Sequence, residues 1–198
     1  MSPSASLSPS ASESSSPSAS PIDLEVAISA TADDGYARNT GGSYANNDWS
    51  NFLGSLNGYD YWSYFRFQLN VPKDAQINSA ILQFTAGATG STTAVNLSVC
   101  LEQADNPTAP SSGADLIGRT YGSGVSWNGV ASWTAESEYD TPDFAAKLQE
   151  IVDRAGWVSG QYVNVVVKSI SSSYSAYRQP YARDNSATKC AKLIVQYQ

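Results

Sequence analysis

Histidine is absent from this 198-residue sequence, and its absence removes several kinds of catalytic and metal site. No Ser-His-Asp or Cys-His pair can activate a nucleophile, and no zinc site can use an imidazole ligand. One acidic cluster contains the two carboxyl groups that a glycosidase needs, and it consists of Glu136, Glu138, Asp140 and Asp143. Acids just before a helix also complement the helix dipole, so we expect a protein that is not an enzyme.

Cysteine is scarce as well, with two residues in the whole chain. Cys100 and Cys190 cannot form a structural zinc centre alone, so they are either two free thiols or a disulfide. A disulfide would close a loop of about 90 residues, for which the chain-entropy model gives roughly 4–5 kcal/mol. Both residues are predicted on the non-core face of their strands, which favours a bridge if the compartment is oxidising.

Charged residues make up only 15% of the chain, and the net charge is −7. Without a basic stripe to neutralise phosphates, DNA and RNA are excluded as expected partners. No apolar run approaches the roughly 18 residues that a membrane span needs, and no signal peptide is recognisable at the N-terminus. The chain instead has 12 Tyr, 5 Trp and 14 Gly, a composition typical of a secreted or surface-exposed β protein.

The sequence divides at residue 22. Residues 1–21 are about half serine with recurring prolines, a composition that cannot bury a core and predicts a linker or stalk. From Ile22 onward, apolar residues alternate with polar ones, so a single domain is expected over residues 22–198.

The clearest strand is Tyr61 to Leu69, where the alternation places Phe65, Phe67 and Leu69 on one face. We expect that face to be core. Similar runs predict further strands at residues 22–28, 77–85, 95–101, 162–170 and 193–197. Short strands at this spacing, separated by Gly, Pro and Asn, predict an all-β protein, an antiparallel β-sandwich of jelly-roll type.

One short helix is predicted late in the chain, from Asp140 to Gly156. Thr141 is the expected N-cap, Pro142 the first helical residue, and Gly156 the left-handed residue after the helix. An apolar stripe at helical spacing consists of Phe144, Leu148, Ile151 and Val152.

Three stretches of the chain resemble the DNRLRE family, whose β-sandwich domains are related to the family-96 carbohydrate-binding modules. They are F-R-F-Q-L at 65–69, followed by I-N-S-A-I-L at 77–82, and G-W-V-S-G at 156–160. The resemblance extends over nearly all of residues 31–197. It implies a non-catalytic jelly-roll module that binds polysaccharide in members where binding is established, and that also occurs in phage structural proteins. The chain departs from the family at 181–184, Y-A-R-D, where relatives often have a Y-D-G-like turn.

A sugar-binding surface needs aromatic planes beside hydrogen-bonding groups. We expect such a surface on the outward face of the Tyr61 strand, extended by a second strand, and its residues are Trp62, Tyr64, Arg66, Tyr177, Arg178, Tyr181 and Arg183. The alternative is that these rings are cross-strand packing pairs covered by arginine. A second alternative is a site at the tip of the sandwich, formed by Trp49, Tyr59 and Tyr61. The tryptophans expected to pack structurally are Trp127, Trp133 and Trp157.

The region from 30 to 57 is rich in Asp, Asn and Gly. Its oxygen-bearing side chains either hold a structural calcium ion, with Asp33 and Asp34 as ligands, or simply form turns. No other cofactor is expected.

These observations predict a non-catalytic module of an extracellular, cell-surface or virion protein whose partner is a polysaccharide or cell-surface glycan. The alternative is a structural subunit of a filament, pilus-like fibre or phage appendage. In that case the partners are copies of the chain, assembled through the N-terminal segment.

Overall fold

The computed structural model describes residues 20–170 and 173–198, so the Ser/Pro-rich segment predicted for 1–21 lies almost wholly outside the described residues. In chain order the strands are β1 (Ile22–Ala27), β2 (Asp34–Arg38), β3 (Leu53–Leu56), β4 (Tyr59–Gln68), β5 (Ile77–Thr85), β6 (Val95–Leu101), β7 (Val125–Val130), β8 (Glu138–Asp140), β9 (Tyr162–Ser169), β10 (Tyr177–Arg178) and β11 (Lys192–Tyr197). The helices are α1 (Gly113–Gly118) and α2 (Ala145–Val152), and Thr31–Asp33 forms a 3₁₀ turn.

The strands form two antiparallel sheets. A four-stranded sheet has the order β1-β11-β5-β8, and a seven-stranded sheet has the order β10-β3-β4-β9-β6-β7 with β2 also paired to β4. The first strand of the domain pairs with the last, since Leu24 lies opposite Val195. This architecture confirms the predicted all-β, jelly-roll-like sandwich.

The core fills the space between the two sheets, and the predicted inner face of β4 lies within it. Phe65 and Leu69 are completely buried, and Phe67 is 1% exposed. Phe84 of β5 meets Phe65 across the interface with ring centroids 5.0 Å apart. Each such side chain contributes about 1.5–3 kcal/mol by leaving water, so the alternation predicted for β4 is confirmed.

The three tryptophans predicted to be structural do pack with the core. Trp133 and Trp157 are each 1% exposed, and Trp127 packs against the core while partly exposed. The indole Nε1 of Trp157 donates a hydrogen bond to the Val71 carbonyl at 3.1 Å. A buried indole therefore has its one donor satisfied.

Helix α2 confirms the predicted apolar stripe but not the predicted ends. Phe144, Leu148, Ile151 and Val152 are all buried. The helix begins after Phe144, because the Thr141 hydroxyl accepts a hydrogen bond from the Leu82 amide at 3.0 Å and so belongs to the edge of the sheet. Gly156 is not among the glycines with positive φ, and the Asp153 that ends the helix is right-handed.

Helix α1 was not predicted from the sequence. It begins after Ser112, whose side chain accepts a hydrogen bond from the Asp115 amide at 3.1 Å. The serine cap could have indicated the start of a helix. The six-residue helix, however, has too few apolar positions to show the helical period of 3.6 residues. Within the described part of the chain, no helix is long and apolar enough to cross a membrane.

Of the two alternatives for the cysteines, the structure shows the free thiols and not the disulfide, since Cys100 and Cys190 are both free and buried. Cys100 lies in β6 of the seven-stranded sheet, whereas Cys190 lies just before β11 of the other sheet. Cys190 also belongs to the main core rather than to an outward face. The two thiols are therefore on different layers of the sandwich and cannot meet.

Arg178 is a completely buried cation that ties three segments together at one end of the sandwich. Burial lowers its pKa, and the described residues place no carboxylate beside it. Its guanidinium instead donates hydrogen bonds to main-chain carbonyls, those of Ser91, Thr93, Val130, Ala131 and Tyr177. The planar fork of donors thereby joins carbonyls from the segments that surround it.

We expect Arg178→Lys to lower the free energy of unfolding by about 2–4 kcal/mol, since three donors on a flexible stem cannot reach five carbonyls. Urea denaturation of the purified chain measures this loss. Arg154→Lys is the matched control, because its partly exposed ion pair with Asp105 contributes at most about 1 kcal/mol. Equal losses in the two variants would contradict the role assigned to Arg178.

A reducing agent is expected to leave the melting temperature unchanged, because the described fold contains no disulfide to break. Calorimetry with and without reductant measures this. Titration of thiols in denaturant provides the control and is expected to find both cysteines free; a melting temperature that falls on reduction would contradict the structure.

Candidate functional site

Tyr64, predicted to contact a glycan, is completely buried on the outward face of the seven-stranded sheet. Its hydroxyl donates to the Ala32 carbonyl and lies 3.1 Å from the Tyr44 hydroxyl. Burial raises the pKa of this phenol. It belongs to a second, smaller apolar cluster that includes Ala37, Leu116 and Val166. No ligand can stack on a ring in this position, so the prediction for Tyr64 is wrong.

Arg66 makes an ion pair, a hydrogen bond and a ring contact with other protein groups. It forms an ion pair with the buried Asp33 and donates to the Pro107 carbonyl at 2.7 Å. Its guanidinium also lies 3.4 Å from the centre of the Tyr162 ring. These contacts match the alternative in which arginine covers a ring as part of the packing.

Trp62 has the same kind of surroundings. The Lys168 ammonium lies 4.0 Å from the Trp62 ring and 3.9 Å from the Tyr121 ring, and the two rings meet edge to face at 5.9 Å. Partial burial lowers the pKa of Lys168. The lysine therefore covers the aromatic face that a sugar would need.

The residues predicted to extend this surface occupy different environments. Arg178 is buried as described above, and Arg183 donates from Nε to the Ile28 carbonyl at 3.1 Å. Tyr181 donates its hydroxyl to Glu136 at 2.5 Å. Only Tyr177 joins other aromatic side chains, through Phe52 at 6.0 Å. The structure does not bring the seven predicted residues into one surface.

The predicted calcium ligands are engaged with protein groups. Asp33 pairs with Arg66, and Asp34 Oδ2 accepts hydrogen bonds from Asn51 Nδ2 at 2.9 Å and from the Arg183 amide at 3.0 Å. Asp34 Oδ1 is buried without a partner among the described residues. Over residues 20–170 and 173–198, no group of three or more acidic or cysteine side chains is placed to hold a metal ion.

An aromatic cluster lies at the end of the seven-stranded sheet, where four segments meet. Its rings are Tyr36 of β2, Phe52 before β3, Tyr61 of β4 and Tyr177 of β10. Phe52 is central, since its ring centroid lies 5.0 Å from Tyr36, 5.5 Å from Tyr61 and 6.0 Å from Tyr177. Tyr61 is buried, while the other three rings are half-buried and reach the surface.

Polar and exposed groups surround this cluster. Arg38 stacks 3.8 Å over the Tyr59 ring, and the Tyr36 hydroxyl donates to Asp48 at 2.6 Å. Burial and the Asp48 hydrogen bond raise the pKa of Tyr36, and a hydrogen bond to Tyr61 raises that of Arg38. Trp49 follows Asp48 with 77% of its surface exposed, and Tyr59 is 43% exposed. We call the four rings together with Arg38, Trp49 and Tyr59 the aromatic end surface.

Local sequence explains how this surface forms. Asn57 and Gly58 both have positive φ, 53° and 79°, as the tight turn between β3 and β4 requires, and the turn sets Tyr59 and Tyr61 beside β3. Gly54 allows the β10 segment to approach, because a Cβ there would lie 2.3 Å from the Ala176 carbonyl oxygen. Arg178 then holds β10, and with it Tyr177, in place.

The alternative prediction of a site at the tip named Trp49, Tyr59 and Tyr61, and all three belong to the aromatic end surface. Sequence reasoning missed Tyr36, Phe52 and Arg38. Tyr36 and Arg38 alternate along β2, which was an available signal. Their meeting with β3 and β10 depends on pairings between strands far apart in the chain.

Comparison with models of known protein families gives no match, and comparison with curated proteins gives none. The part of the chain that the structure describes contains no pocket.

Burial raises the pKa of Asp34 to about 6 from 3.8. The folded protein therefore favours the protonated form of Asp34. The stability that this form contributes is fully present below the ordinary pKa and is lost as pH rises through about 6. Asparagine cannot ionise, so the unfolding free energy of Asp34→Asn minus that of wild type should grow by about 2–3 kcal/mol from about pH 4 to about pH 7.5.

Chemical denaturation at a series of pH values measures this difference, and its slope is independent of any constant cost of the new amide. Asp140→Asn, at an exposed carboxylate bonded to Gln83, serves as the control. A difference for Asp34→Asn that does not change with pH would contradict the assignment.

Proposed function

We propose that the chain is a non-catalytic glycan-binding module and that the aromatic end surface is its binding site. The observation that carries the proposal is a set of half-exposed rings placed beside a half-buried arginine and a carboxylate. Ring faces stack on the apolar face of a pyranose, while such polar groups hydrogen-bond its hydroxyls. Trp49 supplies an exposed ring, Tyr59 supplies the ring face that Arg38 does not cover, and Arg38 and Asp48 supply the polar groups.

The arrangement suits an extended polymer. Rings from four segments cluster around Phe52 at one end of the domain, with centroids 5.0–6.0 Å from that ring. A polysaccharide crossing such a cluster contacts more than one ring. Each contact is weak, and display of several copies on one surface strengthens binding through effective concentration.

The resemblance to the DNRLRE family supports a polysaccharide or cell-surface glycan as the partner and an extracellular, cell-surface or virion location. The residues that carry that resemblance, Phe65, Phe67 and the 77–82 segment, lie in or around the core. Their role in this structure is packing, so the proposed site rests on the end-surface geometry instead.

We expect Trp49→Ala and Tyr59→Ala each to weaken retention on the recognised polysaccharide about tenfold, since each removes a stacking ring worth about 1–1.5 kcal/mol. A panel of soluble and insoluble polysaccharides, tested by gel retardation and by depletion, measures retention. Both residues are exposed, so circular dichroism should show an unchanged fold.

Val158→Ala is the control, because Val158 is 60% exposed and follows Trp157, which hydrogen-bonds Val71 at the opposite end of the sandwich. Retention unchanged in both ring variants, or no retention of the wild type on any polysaccharide, would overturn the proposal.

A second candidate function is a structural subunit assembled through its N-terminal segment. Strand β1 lies at an edge of the four-stranded sheet, and Ile22 is 51% exposed. Pairing two β1 strands would bring Asp23 and Glu25 of one copy against the same carboxylates of the other, and like charges on an edge oppose such pairing. Any assembly through the N-terminal segment must therefore use a contact other than pairing between two β1 strands.

A further inference from the structure

The segment before β1 leaves the domain at the end opposite to the aromatic end surface. Ile22 lies opposite Tyr197, which in turn lies opposite Ile77 at the start of β5. Just after the other end of β1, the Ile28 carbonyl accepts a hydrogen bond from Arg183. The neighbouring Ala182 amide donates to the Trp49 carbonyl, so this end of β1 lies near the aromatic end surface. Six residues of strand, about 20 Å, separate the two ends.

The N-terminal segment contains four prolines, of which Pro17 is out of phase with the other three for a helix of three residues per turn. A polyproline II helix has three residues per turn, and Pro3, Pro9 and Pro21 are separated by multiples of three. These three prolines therefore share one face of such a helix. The segment carries a single charged side chain, Glu13, and is otherwise Ser, Ala, Leu and Pro after Met1.

The aromatic end surface has the features that bind such a helix. Polyproline II segments dock on rows of aromatic rings, and their carbonyls make no internal hydrogen bonds and so accept from donors on the partner. Tyr36 and Tyr177 lie 5.0 and 6.0 Å from Phe52, so one polyproline II turn of about 9 Å is long enough to contact more than one of these rings. Arg38 adds a cation that suits Glu13, and Trp49 adds an exposed ring with an N–H donor.

We propose that the aromatic end surface of one copy binds the Ser/Pro-rich residues 1–21 of a second copy. An extended segment of this length reaches about 65 Å, enough to span the gap between two domains. Binding within one copy would require the segment to reverse and run back along the domain. Because the donor and acceptor ends are opposite, the contact is head-to-tail and continues into an open chain of subunits.

This inference does not depend on glycan binding, although the two ligands would compete for the same rings. Sedimentation equilibrium of the full chain up to about 1 mM tests it, a range that detects contacts of modest affinity. Wild type is expected to self-associate without a fixed end point. The Trp49→Ala/Tyr59→Ala double variant and the Pro3→Ser/Pro9→Ser/Pro21→Ser triple variant should each associate at least tenfold more weakly, and Val158→Ala should associate like wild type.

A wild-type chain that remains monomeric over this range would overturn the proposal, as would full association of either multiple variant. If the rings of the aromatic end surface are shielded from solvent to the same extent at every protein concentration, the segment binds within one copy. That result would likewise overturn the proposal. A synthetic peptide of residues 1–21 should cap the assembly, whereas a peptide with the three prolines replaced by serine should not.

The proline variant separates the two functions, because it leaves every ring of the aromatic end surface in place. If glycan retention persists in that variant while self-association is lost, both proposals stand. If no glycan is retained by any form but association depends on the prolines and rings, only the glycan proposal fails. If the proline variant associates like wild type while the ring changes abolish glycan retention, the glycan proposal stands and only the self-association proposal fails.

Discussion

The fold at the end of the molecule that carries the aromatic cluster depends on one buried cation. Arg178 lies in a strand of only two residues, too short to be held by ladder hydrogen bonds alone. Its guanidinium compensates by donating to carbonyls from the segments around Ser91 and Val130. A cation buried without a counter-ion is costly unless its donors are all used, and the forked geometry of arginine allows that. Through this contact Tyr177 reaches Phe52, and the aromatic end surface becomes continuous.

The outward face of the seven-stranded sheet illustrates why aromatic and arginine residues on a strand do not by themselves indicate a binding site. Helix α1 and the segments around it cover this face, so Tyr64 is buried and Arg66 is neutralised by Asp33. Lys168 lies over the rings of Trp62 and Tyr121 on the same face. In a protein with few charges, the cations stabilise aromatic packing, since a cation over a ring face is attracted by the ring quadrupole.

The two proposals for the aromatic end surface share one physical basis. Rings with polar edges bind flat, weakly polar ligands whose hydrogen-bonding groups are evenly spaced, a description that fits both a pyranose chain and a polyproline II helix. Each ligand would be bound weakly at a single site, so multiple copies are what gives either contact its strength. Assembly of copies and attachment to a polymer are thus compatible uses of one module.

Local patterns in the chain were sufficient to predict the longer strands β1, β4, β5, β6, β9 and β11 and helix α2, whereas β2, β3, β7, β8, β10 and helix α1 were not predicted. The period of two in β4 identified Phe65, Phe67 and Leu69 as core, and the helical stripe identified Leu148 and Ile151, because burial of alternate or every third to fourth residue is imposed by backbone geometry alone. Tertiary structure decided which outward residues reach solvent. Whether Tyr64 is covered and whether Tyr36 and Tyr177 both contact Phe52 depend on segments far away in the chain, and no periodicity in one strand records what packs over it.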